Sequence, residues 1–318
     1  MNGSGTTMLL DHLSSHSMLY GFPNETRFLP YFIRHQNRYG DLSIDRNFLE
    51  LWDDMRKSVV RRLGPSSRKV PIPEDWSIHL RSAASVFDQI MRMFAAAKGV
   101  HTWCEKTPMY VHHLTLLSNA FPNARFLHII RDGRDCAASF HRRWKFNPVR
   151  TIYRWKQAVR AGRAQGTLLG SRYHEIRYES LTQAPEPTFQ EICRFLGIPF
   201  ESAILSSARS RADKTRTNMQ VVVPNVKAAS QYFNAKQLAK IECVAGQCLT
   251  ELGYICSLYS TGDKDPSRYA LRWWEVIDDL RRLAALSLGQ GRIFNRRKWL
   301  YVLRRIRSAL KQKATSGP

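Results

Sequence analysis

The sequence predicts an α/β protein: a parallel sheet flanked by helices, followed by a basic helical extension. Three observations carry this. Apolar runs of strand length recur at 101–108, 124–130 and 173–181, with helical segments between them and no hairpin signal. A glycine-rich turn, "NGSGTT", opens the chain and leads straight into a helical pattern. Residues able to grip an anion follow the strand runs, and parallel sheets bind their ligands at the carboxyl ends of strands.

In chain order, residues 6–15 read as a helix following the glycine turn. Residues 17–100 are mixed, with a loop-like "GPSSRKVPIPEDW" in the middle and a helical pattern over 85–99 that stops at a glycine. "HTWCEKTP" is a short strand ending in a loop, "YVHHLTLLSNAFP" a helix, "ARFLHII" a buried strand, and "RDGRDCAASFHRRW" a turn into the next helix. "YHEIRYESL" gives the third strand, and "PEPTFQEICRFLGI" a helix opened by Pro and closed by Gly. Residues 234–254 form a further helix. From about residue 260 the composition turns basic, and two amphipathic helices are expected, broken at "GQG". The division expected is an α/β domain over 1–258 and a helical extension over 259–318.

Lys and Arg number 49 against 26 Asp and Glu, a formal charge of +23. Such an excess points to an anionic partner, or to a generally basic surface. The six cysteines form no CxxC pair, and no His cluster has metal-ligand spacing, so free thiols in a reducing, cytoplasmic compartment are expected and no metal. There is no run of about 18 apolar residues, so no spanning helix is predicted. The aromatic and basic C-terminal helices, with Trp273, Trp274, Trp299 and Tyr301, could lie on an anionic membrane surface or polyanion, giving a peripheral location, or could pack on the core. No specific nucleic-acid partner is predicted.

Three constellations carry chemistry. In Gly3-Ser4-Gly5-Thr6-Thr7, glycines let consecutive N–H groups face one concavity at a helix N-terminus, a phosphate site. The Lys of a Walker A loop is absent, and a plain glycine turn before a helix is the alternative reading. In "FLHIIRDGRDCAASF", Arg131 leaves a strand and Ser139 lies in the following helix, so both could meet one anion; alternatively, the Arg and Asp residues pair with one another. In "NETRFLPYF", Glu25 flanked by Arg27 could be a general base or an ordinary ion pair.

Taken together, "GSGTT", "ETR", "EKTP", "FLHIIRDGRDCAASF", "IRYESL" and "EICRFLGIP" resemble, in order, the segments of PAPS-dependent sulfotransferases, closest to the bacterial and tyrosylprotein-type branch, over residues 3–254. The resemblance implies a P-loop-like fold and PAPS (3′-phosphoadenosine 5′-phosphosulfate) as sulfuryl donor. It implies Ser4, Gly5, Thr6 and Thr7 on the 5′-phosphosulfate, Arg131 and Ser139 on the 3′-phosphate, and Tyr178 on the cofactor. It implies Glu25 as base, Arg27 beside it, Lys106 on the sulfuryl group in flight, and Ser230 as a further serine near the sulfate. Pro108 stands where cytosolic members carry a catalytic histidine, and Gly3 where many members carry a basic residue. The acceptor is expected to be a hydroxyl of a carbohydrate, glycolipid or peptide. A P-loop kinase and an inactive binding module remain the alternatives. A phosphate loop normally leaves a central strand, and none precedes this one. A sheet lacking its innermost strand would leave ladder edges unpaired, so the strand is expected upstream of Met1 in a longer protein.

Overall fold

The computed structural model describes residues 3–63, 81–206, 228–256 and 262–290. The loop-like stretch at 64–76 and the second basic helix, with Trp299 and Tyr301, lie outside the described residues. The chain divides into two units, Met1–Ile130 with Ala161–Pro224, and Arg131–Arg160 with Asn225–Pro318.

In the first unit, helix α1 (Thr6–Leu13) leads to strand β1 (Leu19–Gly21), followed by α2 (Leu29–His35), α3 (Asp45–Leu63), α4 (Ala83–Ala96) and β2 (Thr102–Cys104). A 3-10 turn at Pro108–His113 runs into α5 (Leu114–Ala120) and β3 (Phe126–Ile130). Strand β1 pairs with β2 in parallel, Tyr20 opposite Trp103, and Phe22 N–H extends the ladder to the Cys104 carbonyl at 2.9 Å. After the second unit's α6 (Gly133–Trp144) and the long α7 (Pro148–Thr167), β4 (Tyr173–Arg177) pairs in parallel with β3, His128 opposite Glu175. Helices α8 (Tyr178–Gln183) and α9 (Pro185–Leu196) complete the first unit's regular elements.

The parallel α/β character matches expectation, but the strands form two separate two-stranded sheets, β1–β2 and β3–β4. Among the described residues no ladder joins β2 to β3. The third strand is also shorter than expected over 173–181. It ends at Arg177, because Tyr178–Gln183 turn helical, and the Thr182 hydroxyl donates to the Tyr178 carbonyl at 3.1 Å.

Local chemistry explains the boundaries. Helix α4 starts in a capping box, where the Ser82 hydroxyl accepts from Ser85 N–H while the Ser85 hydroxyl accepts from Ser82 N–H. Helix α9 opens with a proline in its first turn and stops at Gly197, whose φ of 70° is left-handed. One core packs Trp52, Phe48, Phe87 and Met91 of α3 and α4 around Phe22. A second packs Leu9 and Leu13 of α1 on Ile129, Ile176 and Phe189. Two buried histidines lock α1: His12 Nδ1 donates to the Ile204 carbonyl at 2.7 Å, and His16 Nε2 to the Pro199 carbonyl at 2.8 Å. The glycine turn before α1 is thereby fixed against the β3–β4 pair.

In the second unit, α6, α7 as far as Arg160, α10 (Ala228–Tyr232), α11 (Ala235–Glu251) and α12 (Arg268–Gln290) pack together. Asn234 caps α11 in a capping box with Gln237. Buried Lys156 of α7 donates to the Val244 carbonyl at 2.6 Å and pairs with Asp265 and Asp263. Arg150 pairs with Asp278 and Glu275 of α12 at 2.8 and 3.1 Å. The described part of the basic extension is therefore held by ion pairs, with Val276 buried. No described helix is long and apolar enough to cross a membrane, and all six cysteines carry free thiols.

A relay that starts at buried His128 is expected to make stability depend on pH. His128 Nδ1–H donates to the Tyr173 hydroxyl at 2.6 Å, which donates to Glu175 at 2.8 Å. Burial, reinforced by Arg163 and Arg177, lowers the His128 pKa from 6.5 to about 3. Between those values the unfolded chain takes up a proton that the folded one refuses. Stability is therefore expected to fall by about 1.4 kcal/mol per pH unit from this group below pH 6.5. Urea unfolding at pH 7 and 5 should show the loss in wild type and a shallower one in His128→Asn.

Candidate functional site

The glycine turn is built to approach an anion. Gly3 and Gly5 have φ of 85° and 92°, left-handed values that glycine adopts without strain. Gly5 caps α1, so the first-turn N–H groups from Thr6 onward have no intrahelical acceptor. Ser4 is buried. A Cβ on Gly5 would lie 2.5 Å from Cδ2 of Tyr178, so the ring of Tyr178 backs the loop. Only glycine fits there, and the cradle suits a phosphate-type anion. The structure thus sets the Tyr178 ring against Gly5 of the turn.

Glu25, Arg27 and Lys106 also meet. Both follow strand exits: Glu25 lies past β1, Lys106 past β2, and the parallel pairing turns both exits the same way. Arg27 Nε donates to Glu25 Oε2 at 2.6 Å, and Lys106 Nζ lies 3.4 Å from Glu25 Oε1. The Glu25 and Lys106 side chains are 17% exposed and that of Arg27 46%, so the carboxylate remains reachable between two cations. Arg27 has a φ of 57°, one of two non-glycine residues with positive φ among the described residues. That strain is typical of functional sites.

What the sequence reading missed is the support under this turn. Glu105 sends Oε1 under Thr26, accepting its N–H at 3.1 Å and its O–H at 2.9 Å. The Thr107 hydroxyl donates to the same oxygen. The Tyr110 hydroxyl joins Thr26 Oγ1 and accepts from Leu29 N–H at 3.2 Å. Burial raises the Glu105 pKa, opposed by the hydrogen bonds from Thr107 and Thr26 and by the charge of Lys106. Burial, with the Glu105 charge behind it, pushes the neighbouring Cys104 thiol up to about 12. The only sequence signal for this network was the nearness of Glu105 to Lys106 in "EKTP".

Arg131, Ser139 and Ser230 belong to the second unit. Arg131 follows β3; its carbonyl accepts from the Trp155 indole at 3.0 Å, and its buried guanidinium lies 3.6 Å from Asp135. Arg134 pairs with Asp132 at 2.7 Å and also with Glu242. The Arg/Asp pairing that is the alternative reading of this segment therefore does occur. Ser139 is half-buried in α6. Ser230 is exposed on α10, whose Ala229 N–H donates to Asp135 at 2.9 Å. Asp135 thus ties Arg131 to the helix that carries Ser230.

A profile of the Sulfotransferase family matches residues 1–202. Among curated proteins, the chain is similar to protein-tyrosine sulfotransferase 1 of Danio rerio, 27% identical over 198 residues, 57% of this chain and 54% of that protein. It is likewise similar to protein-tyrosine sulfotransferase 2 of Gallus gallus, 27% identical over 172 residues, 51% and 46% of the two chains. The chain spans about half the length of these relatives. Among solved structures, the sulfotransferase domain of the Synechococcus PCC 7002 olefin synthase superposes with a TM-score of 0.54 at 19% identity, covering 80% of this chain and 92% of that one. The sulfotransferase domain of the curacin biosynthetic pathway gives 0.51 at 18% identity, covering 80% and 95%. At such identities the likeness is one of fold. The profile match covers more than half of the chain and takes in the glycine turn, Glu25, Lys106, Arg131 and Tyr178, so the chain belongs to the sulfotransferase family.

Proposed function

We propose that this protein transfers a sulfuryl group from PAPS to an acceptor hydroxyl, of a peptide, carbohydrate or glycolipid, with Glu25 as general base. The observation that carries the reading is the convergence of Arg27 and Lys106 on the Glu25 carboxylate, at 2.6 and 3.4 Å. The similarity to protein-tyrosine sulfotransferases favours a peptide hydroxyl among the acceptors.

PAPS, when bound, supplies the sulfuryl group, whose bond to the phosphate oxygen breaks as the acceptor oxygen bonds to sulfur. The chain's own groups divide the remaining work. The N–H groups of Gly5, Thr6 and Thr7, with the Thr hydroxyls, hold the 5′-phosphosulfate oxygens, while Gly3 and Ser4 shape the turn. Tyr178 backs the loop, and Arg131 and Ser139 hold the 3′-phosphate. Glu25 takes the acceptor proton, and Arg27 orients its carboxylate. Lys106 answers the charge that develops on the transferring and bridging oxygens, by analogy with phosphoryl transfer. Ser230 offers a further hydroxyl to the sulfuryl oxygens. None of these roles calls on a metal. The basic C-terminal extension, with the chain's +23 charge, is proposed as a docking element for an anionic membrane surface or polyanion.

Labelled PAPS and labelled ATP, offered with a panel of hydroxyl acceptors, test the reading. Glu25→Gln should lower transfer from PAPS by about 10²–10⁴-fold while PAP, the desulfated donor product, still binds. Binding without turnover in wild type would instead make the protein a PAPS-binding module, and transfer from ATP would make it a kinase. A second expectation concerns the 3′-phosphate. Arg131→Gln should cut the preference for PAP over AMP, measured by calorimetry, by about 10–100-fold. An unchanged preference would leave Arg131 to its pairing with Asp135.

A further inference from the structure

Glu105 has no role in the reaction outlined above, yet its carboxylate lies under the turn that carries the base. Three donors converge on one atom, Oε1: the Thr26 N–H, the Thr26 O–H and the Thr107 O–H. Thr26 is fully buried and Thr107 nearly so, so these bonds are made away from water. Charge-assisted hydrogen bonds of this kind are about twice as strong as neutral ones. Thr26 is the middle residue of Glu25-Thr26-Arg27, and the next residue turns left-handed at a φ of 57°. A non-glycine residue holds such a conformation only where its surroundings over-determine it. Here that determination comes from below. The Thr26 N–H and O–H are both anchored, and the turn that follows returns the Arg27 guanidinium to Glu25. The same residue precedes Lys106 in the chain, at the β2 exit where Nζ lies 3.4 Å from Glu25.

We infer that Glu105 is a positioning residue for the base: through Thr26 it holds Glu25, Arg27 and Lys106 in the arrangement that transfer requires. The inference rests on the transfer reading above, in which Glu25 is the base. Because all three donors meet Oε1, a glutamine can present its carbonyl oxygen to the same three groups, whereas an apolar side chain of similar size can present nothing. That asymmetry separates positioning from packing.

The test compares Glu105→Gln and Glu105→Leu in the full chain, by kcat, by the KM for PAPS, and by hydrogen exchange of the backbone amides at 25–29. Glu105→Leu should lower kcat by about 10²-fold through misplacement of the base, with KM within about threefold. Amide exchange at Thr26 should accelerate in the same variant. Glu105→Gln should retain kcat within about fivefold, its bonds weakened by the lost charge. In a Glu25→Gln background, Glu105→Leu should cost little further, because the two act through one group. If Glu105→Leu does not fold, Thr26→Val, which removes one donor at constant shape, should lower kcat about tenfold. Near-wild-type kcat in a folded Glu105→Leu protein, an equal loss in both backgrounds, or unchanged exchange at Thr26 would each overturn the inference. Failure of wild type to transfer from PAPS would remove the proposed function, and exchange at Thr26 would then decide alone whether Glu105 holds the turn.

Discussion

Parallel pairing of β1 with β2 is the constraint on which the candidate site depends. Antiparallel neighbours would send their exits to opposite ends, separating Glu25 from Lys106. Parallel neighbours send both exits one way, and the register that sets Gly21 opposite Cys104 brings the two following loops level. Parallel strands of three residues cannot be stable on their own, so their position is imposed by the helices that cover them. The α3–α4 core, with Phe22 buried at the end of β1, supplies that cover. The β3–β4 pair repeats the logic, with Arg131 following one strand and Tyr178 the other. Every residue proposed to touch the donor or the acceptor proton, apart from the α6 and α10 serines, lies past a strand exit or in the glycine turn itself.

Legibility followed the strength of local signals. Phe126–Ile130 and α9 could be read because a continuous apolar run, a helix-opening proline and a left-handed Gly197 are local marks. Strand β1, with three residues and a half-buried pattern, left no such mark. Helices α2, α3 and α7 were also passed over, although α7 runs for twenty residues. "YESL" continues an apolar run and was read as strand, but a helical turn there swings the Tyr178 ring against Gly5. The glycine turn, Glu25, Arg27 and Lys106 were legible as a set because several weak motifs stood in a familiar order. Glu105 was not, since its importance lies in three bonds, two of them from a residue 79 positions away.

Charge is used in two opposite ways in this chain. In the second unit, Lys156 faces Asp263 and Asp265, and Arg150 faces Asp278 and Glu275, so each of these two buried cations has two carboxylates. A cation that deep must be neutralised and hydrogen-bonded, and a missing partner would be strongly destabilising. Around Glu25 the ratio inverts. One carboxylate meets two cations, Arg27 and Lys106, and all three stay within reach of solvent. The neighbouring Glu105 faces the buried side, its Oε1 taken by Thr26 and Thr107, and its charge interacts with Lys106 from behind. A group of residues that only held the fold together would gain from balance. Two cations on one reachable carboxylate, kept at the strand exits beside a turn with a positive φ, are the arrangement that the proposed transfer would use to stabilise an anion gaining charge in its transition state.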